Sequence, residues 1–136
     1  MQKQGVRTGK QAYPADNWSA HHVPAVNTAA TATQAAPGVS KRNVITWLTV
    51  VFAAGSTAPS AVNTSVSAID GGTGGTTYLW RATISLPATA GATNGIALED
   101  LWLPGSTNTA TTLEFLAAGG ANTFESVSFG GVVVDE

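Results

Sequence analysis

A reaction centre in this chain would have to be built from very few groups. His21 and His22 are the only histidines, and they are adjacent. Neighbouring residues on an extended chain point to opposite sides, so the pair cannot chelate one metal without other ligands or symmetry copies. There is no cysteine, which excludes thiolate sites and disulfides. Glu99, Asp100, Glu114 and Glu125 are the carboxylates from which a glycosidase pair would be drawn. Nothing in their spacing brings two of them to the separation that chemistry needs, and Glu99 and Asp100, as neighbours, are expected on opposite faces. No Gly-x-Ser-x-Gly elbow occurs, and no Ser-His-Asp set can be assembled without the two histidines. The chain therefore reads as a non-enzyme with no cofactor and no metal.

Asp70-Gly-Gly-Thr-Gly-Gly75 is the one stretch with the texture of a ligand loop. A phosphate loop needs a following Lys-Ser/Thr and a helix whose amino terminus faces the anion. Here no lysine follows, and Thr77–Leu86 alternates as a strand. A calcium loop needs acids at alternating positions, and Asp70 stands alone. Glycine takes positive φ without penalty and Asp bonds its own backbone at turns, so the stretch reads as a hairpin. Its tip is expected to project toward solvent or a neighbouring subunit.

The elements around these residues are short runs bounded by turn residues: 26–36, 43–54, 62–69, 77–86, 96–103, 109–117 and 123–134. Tyr78, Trp80, Ala82, Ile84 and Leu86 share one face at period two, with Leu79 as an apolar intruder. Seven or eight such strands, without a convincing helix, predict an all-β fold: an antiparallel β-sandwich, jelly-roll-like, with an extended N-terminal arm. Two runs depart from simple alternation. In Val44–Ala54 both faces are apolar, with Ile45, Trp47 and Val51 opposite Val44, Leu48, Val50 and Phe52. That strand is expected to need a cover, either the arm or another subunit. Glu99-Asp100 inside an apolar run predicts a bulge. Trp47, Trp80 and Trp102, lying in apolar runs, are expected in the core.

Residues 1–25 read as the arm and 26–136 as the sandwich domain. The arm is polar and broken by Gly5, Gly9, Pro14 and Pro24, yet Tyr13, Trp18 and Val23 suit docking on its own domain or on a neighbour. Lys3, Arg7, Lys10, Lys41 and Arg42 against Asp16 give the first 42 residues a charge of +4, whereas the remainder carries −6. A basic arm on an acidic body suits an acidic neighbouring surface. Only 10% of residues are charged, against about 25% in typical domains, which suits a surface covered by partners. The acidic body and the lack of a basic stripe argue against a nucleic-acid partner. No run approaches the length of a membrane span, and the basic amino terminus has no apolar segment of the signal-peptide kind, so no membrane partner is expected.

Across most of its length the chain resembles small jelly-roll capsid cement or decoration proteins of tailed bacteriophages. The resemblance runs through DNWSAHHVPAVNTAATATQAAPG, TVVFAAGSTAPSAV, the glycine hairpin before TTYLW, and NTATTLEFLAAGGANTFESVSFGG. It rests on Ala/Thr/Gly-rich strands and hairpins, not on a catalytic motif. It implies a virion structural protein on the capsid surface, made in the bacterial host cytoplasm, that binds across major capsid protein subunits and stabilises the shell. The apolar strand face suits self-association, as a homodimer or homotrimer. Under that expectation Lys3, Arg7, Lys10, Tyr13, Trp18, His21 and His22 contact the capsid protein or a sister subunit. The alternative is a tail-associated or fibre-tip β-sandwich protein that recognises a host surface glycan through an aromatic platform. A small glycoside-active enzyme using Glu99 or Glu114 is the third reading.

Overall fold

The computed structural model describes residues 17–135, and these form two antiparallel sheets packed face to face. Nine strands are present: β1 (Asn17–His22), β2 (Thr31–Gln34), β3 (Lys41–Ala54), β4 (Val62–Asp70), β5 (Tyr78–Leu86), β6 (Thr93–Leu98), β7 (Leu103–Pro104), β8 (Thr111–Phe115) and β9 (Thr123–Asp135). One sheet has the order β1-β9-β3-β6, with the two-residue β7 also pairing β3. The other has the order β2-β8-β4-β5. Apart from β7, the pairs nest: β1 with β9, β2 with β8, β3 with β6, β4 with β5. Rolling one long hairpin produces this order, which is that of a jelly roll. No helix occurs among the described residues, so none there is long and apolar enough to cross a membrane.

The core lies between the sheets. Leu48, Val50 and Phe52 of β3 and Val127 and Phe129 of β9 face Val66, Ala68, Ile84, Leu86, Leu113 and Phe115 from the other sheet. Phe52 meets Phe115 edge to face at 5.6 Å between ring centres, which ties the two layers together. Each fully buried Val, Leu, Ile or Phe among them contributes about 2 kcal/mol of apolar transfer free energy. Threonine and valine suit these strands because branching at Cβ packs well on a pleated surface and restricts χ1 in a helix.

Two bulges explain where simple alternation misleads. In β3 the pairing with β9 steps from Ile45 opposite Gly131 to Trp47 opposite Gly130, leaving Thr46 as an extra residue. Ile45 therefore joins Leu48, Val50 and Phe52 in the core, while Trp47 and Val51 turn to the outer face. In β5 the pairing steps from Trp80 opposite Ala68 to Tyr78 opposite Ile69, so Leu79 is the extra residue. Leu79 then packs on the core beside Trp80, and Tyr78 points outward with the Arg81 guanidinium 4.7 Å from its ring centre. A bulge inserts one residue against its partner strand and reverses the parity beyond it.

The run 96–103 is not one strand. Its ladder stops at Leu98 and resumes at Leu103, with Asp100 between them in the left-handed region at φ 56°. Leu98, Leu101 and Leu103 pack toward the core, but Trp102 is 55% exposed, so the core position expected for it is not taken up. The adjacent acids thus mark a turn between two strands and not a bulge within one.

Candidate functional site

The arm enters the sandwich at β1. Asn17–His22, expected as arm, is the edge strand of the first sheet, antiparallel to β9 from Asn17 opposite Val132 to His22 opposite Val127. Trp18 secures it: its Nε1–H donates to the Val132 carbonyl at 3.1 Å, and its ring meets Phe129 edge to face at 5.1 Å. The docking expected of Trp18 is thus on its own domain. The two histidines diverge as neighbours on a strand must. His21 is exposed, whereas His22 turns inward and its Nδ1 accepts the Thr31 N–H at 3.0 Å, linking β1 to β2 in the opposite sheet. Of the seven contact residues expected from sequence, only His21 among these three presents its side chain outward. Lys3, Arg7, Lys10 and Tyr13 lie outside the described residues.

Beside β1 stretches an uncharged sheet face. The cross-strand partners fix its members: Ser19 and His21 sit opposite Gly130 and Ser128, which sit opposite Trp47 and Thr49. Thr49 and Val51 in turn sit opposite Ala97 and Gly95. No Lys, Arg, Asp or Glu interrupts this array, and no second layer among the described strands covers it. Four strands about 4.8 Å apart and seven residues long give it an area of about 400 Å². A glycine is required at its centre. A Cβ at Gly130 would lie 2.6 Å from Trp47 Nε1 and 2.7 Å from the Trp18 carbonyl oxygen, so the indole rests across that residue's backbone.

The far margin of the same face, away from β1, holds an open cleft of about 640 Å³. Thr46, Trp47, Glu99, Asp100, Leu101 and Trp102 line it. The β3 bulge builds one wall, because Thr46 is its extra residue and its carbonyl accepts the Leu101 N–H at 3.0 Å. The β6–β7 turn builds the other and leaves the Glu99 and Asp100 side chains exposed. Parity counting missed this cleft by assigning Trp47 to the same face as Ile45. The paired acids in an apolar run were the signal that the strand breaks there.

The remaining acids serve the fold. Glu114 stands on the outer side of β8, where its Oε1 accepts the Gly74 N–H at 2.8 Å and its Oε2 accepts from Thr31 Oγ1 at 3.5 Å. Thr112 Oγ1 donates to the Gly71 carbonyl at 2.9 Å. The glycine hairpin is therefore anchored on the second sheet, while its tip residues Gly72, Thr73 and Gly74 face solvent. Asp70 grips the β7–β8 loop by accepting from the Ser106 N–H at 2.8 Å and from Ser106 Oγ at 2.5 Å. Glu125 lies inside the sandwich opposite Phe52, 2% exposed, and its Oε1 accepts the Ala30 N–H at 3.0 Å. Burial pushes its carboxyl up from 4.5 to about 7, against the Ala30 and Gly119 amides, which favour the charged form. Glu114 and Glu125 thus occupy different layers, and only Glu99 and Asp100 share an open cleft.

No family model and no curated protein matches the chain. Among solved structures it is similar to a CBM4 carbohydrate-binding module, at 18% identity over 79% of this chain and 71% of that one, with a TM-score of 0.37. It is also similar to the coat protein of Tobacco streak virus, at 7% identity over 91% of this chain and 89% of that one, with a TM-score of 0.31.

Proposed function

We propose that this protein is a structural component of a phage virion that decorates and stabilises the capsid, binding major capsid protein subunits through the β1 edge and the arm that precedes it. The observation that carries this reading is the outer face beginning at β1, with Ser19, His21, Ser126, Ser128 and Thr49 and no Lys, Arg, Asp or Glu. Desolvating such a face costs little, because it strands no ion. At about 400 Å² it supplies about half of the area one partner contributes to a standard interface. The sequence before Asn17 would extend that contact, with Lys3, Arg7 and Lys10 against one acid, Asp16. Three cations against one acid suit an acidic surface on a partner. Self-association as a homodimer or homotrimer uses the same resource, an uncharged sheet face.

Particles separated into heads and tails and analysed by mass spectrometry test the location. The protein is expected with the heads, in stoichiometric amount. Deleting residues 1–16 leaves β1 and its ladder intact and is expected to abolish rebinding to stripped heads. Ser128→Lys places a charge in the middle of the face and is expected to do the same while the melting temperature holds. Recovery with tails alone, or full occupancy by both variants, overturns the proposal.

A further inference from the structure

We propose that the cleft at the far margin of this face is a binding site for an uncharged saccharide, with Trp47 and Trp102 as stacking surfaces and Glu99 and Asp100 as hydroxyl acceptors. A pyranose ring is amphipathic: its C–H face is apolar and its rim is a ring of hydroxyl donors. A site for it needs an aromatic plane that stays exposed and acceptors set beside that plane. The cleft has both.

Trp47 is braced from below, since its indole lies across the Gly130 backbone where even a methyl group would collide with it. A ring supported in this way keeps its orientation when no ligand is present, which limits the ordering cost of binding. Trp102 is 55% exposed, although Leu101 and Leu103 on either side of it pack toward the core. The turn that presents it is pinned by the Leu101 N–H to Thr46 carbonyl bond of 3.0 Å and passes through the left-handed Asp100 at φ 56°. The volume of about 640 Å³ lies within the range of small-molecule sites, about 300–1,000 Å³.

Two adjacent carboxylates decide the class of sugar. Ionised, they accept hydrogen bonds and donate none, so they pair with hydroxyl groups and repel sialic acids, sulfated sugars and phosphates. The cleft borders β6 and β7, at the opposite edge of the sheet from β1.

The test is an array of neutral and sialylated glycans, followed by titration of the best neutral oligosaccharide into the full chain while the indole N–H resonances are monitored. Binding of a neutral glycan is expected with a Kd of about 10 µM–1 mM, moving the Trp47 and Trp102 indole signals and sparing that of Trp18. Trp102→Ala removes an exposed ring, is expected to fold normally, and should weaken binding at least about tenfold. Glu99→Gln combined with Asp100→Asn is expected to weaken neutral-glycan binding severalfold while removing the bar to sialylated ligands. No neutral glycan bound at about 10 mM, preference for sialylated glycans by the native chain, or equal affinity in Trp102→Ala overturns the proposal. None of these outcomes bears on capsid occupancy, so this site and the docking surface are tested separately.

Discussion

Replacing Glu125 by Gln should remove a pH-dependent destabilisation whose size follows from the structure. The Glu125 carboxyl is 2% exposed beside Phe52, and burial raises it from 4.5 to about 7. At low pH the carboxyl is protonated in both states, and its burial strands no charge. Between pH 4.5 and about 7 the unfolded chain has lost its proton while the folded chain retains it. Stability therefore falls with rising pH by about 1.4 kcal/mol per unit across that window, for a total on the order of 3 kcal/mol. Gln keeps an oxygen to accept the Ala30 N–H and never ionises. Urea unfolding of both proteins from pH 4.5 to 8 gives the difference directly, since every other titrating group is common to the two. The curves should nearly coincide at the acid end and separate progressively, with Glu125→Gln ahead by about 3 kcal/mol and about 10 °C in melting temperature at pH 8. Parallel curves, or a gap that widens toward acid, would refute the burial argument.

Two further substitutions test the parts of the fold that hold the surfaces in place. Gly131→Ala sets a methyl group against the Val44 carbonyl where the bulged strands cross, and it is expected to cost about 3 kcal/mol or more in urea unfolding. Glu114→Ala deprives the Gly74 N–H of its acceptor. A loss of about 1 kcal/mol is expected, with faster hydrogen exchange across Gly71–Gly75 and unchanged exchange in β3 and β9.

Most of the strands were legible in sequence because their signals are local, although β1 was read as arm and β6 and β7 as a single run. Period-two apolar runs ended by Pro-Gly, Gly-Gly or single Gly and Pro residues mark strands whatever those strands pair with. The glycine hairpin was legible for the same reason: positive φ at Gly71 and Gly74 is a demand of the turn itself. Diverging side chains at His21 and His22 follow from strand geometry alone. What required the tertiary structure was parity. Whether Ile45 and Trp47 share a face depends on Thr46 having no partner across the ladder, and that is a property of β3 together with β9. The same holds for Leu79, which is extra only in relation to β4. The location of the acids was equally non-local. Glu114 and Glu125 belong to similar strand runs, yet one secures the hairpin outside the second sheet and the other lies sealed between the layers. The sequence by itself determined an all-β chain of short strands with few reactive groups and a basic leading segment. Only the folded pairing turned two tryptophans and two adjacent acids into one cleft, because a one-residue slip in a strand reverses every side chain beyond it.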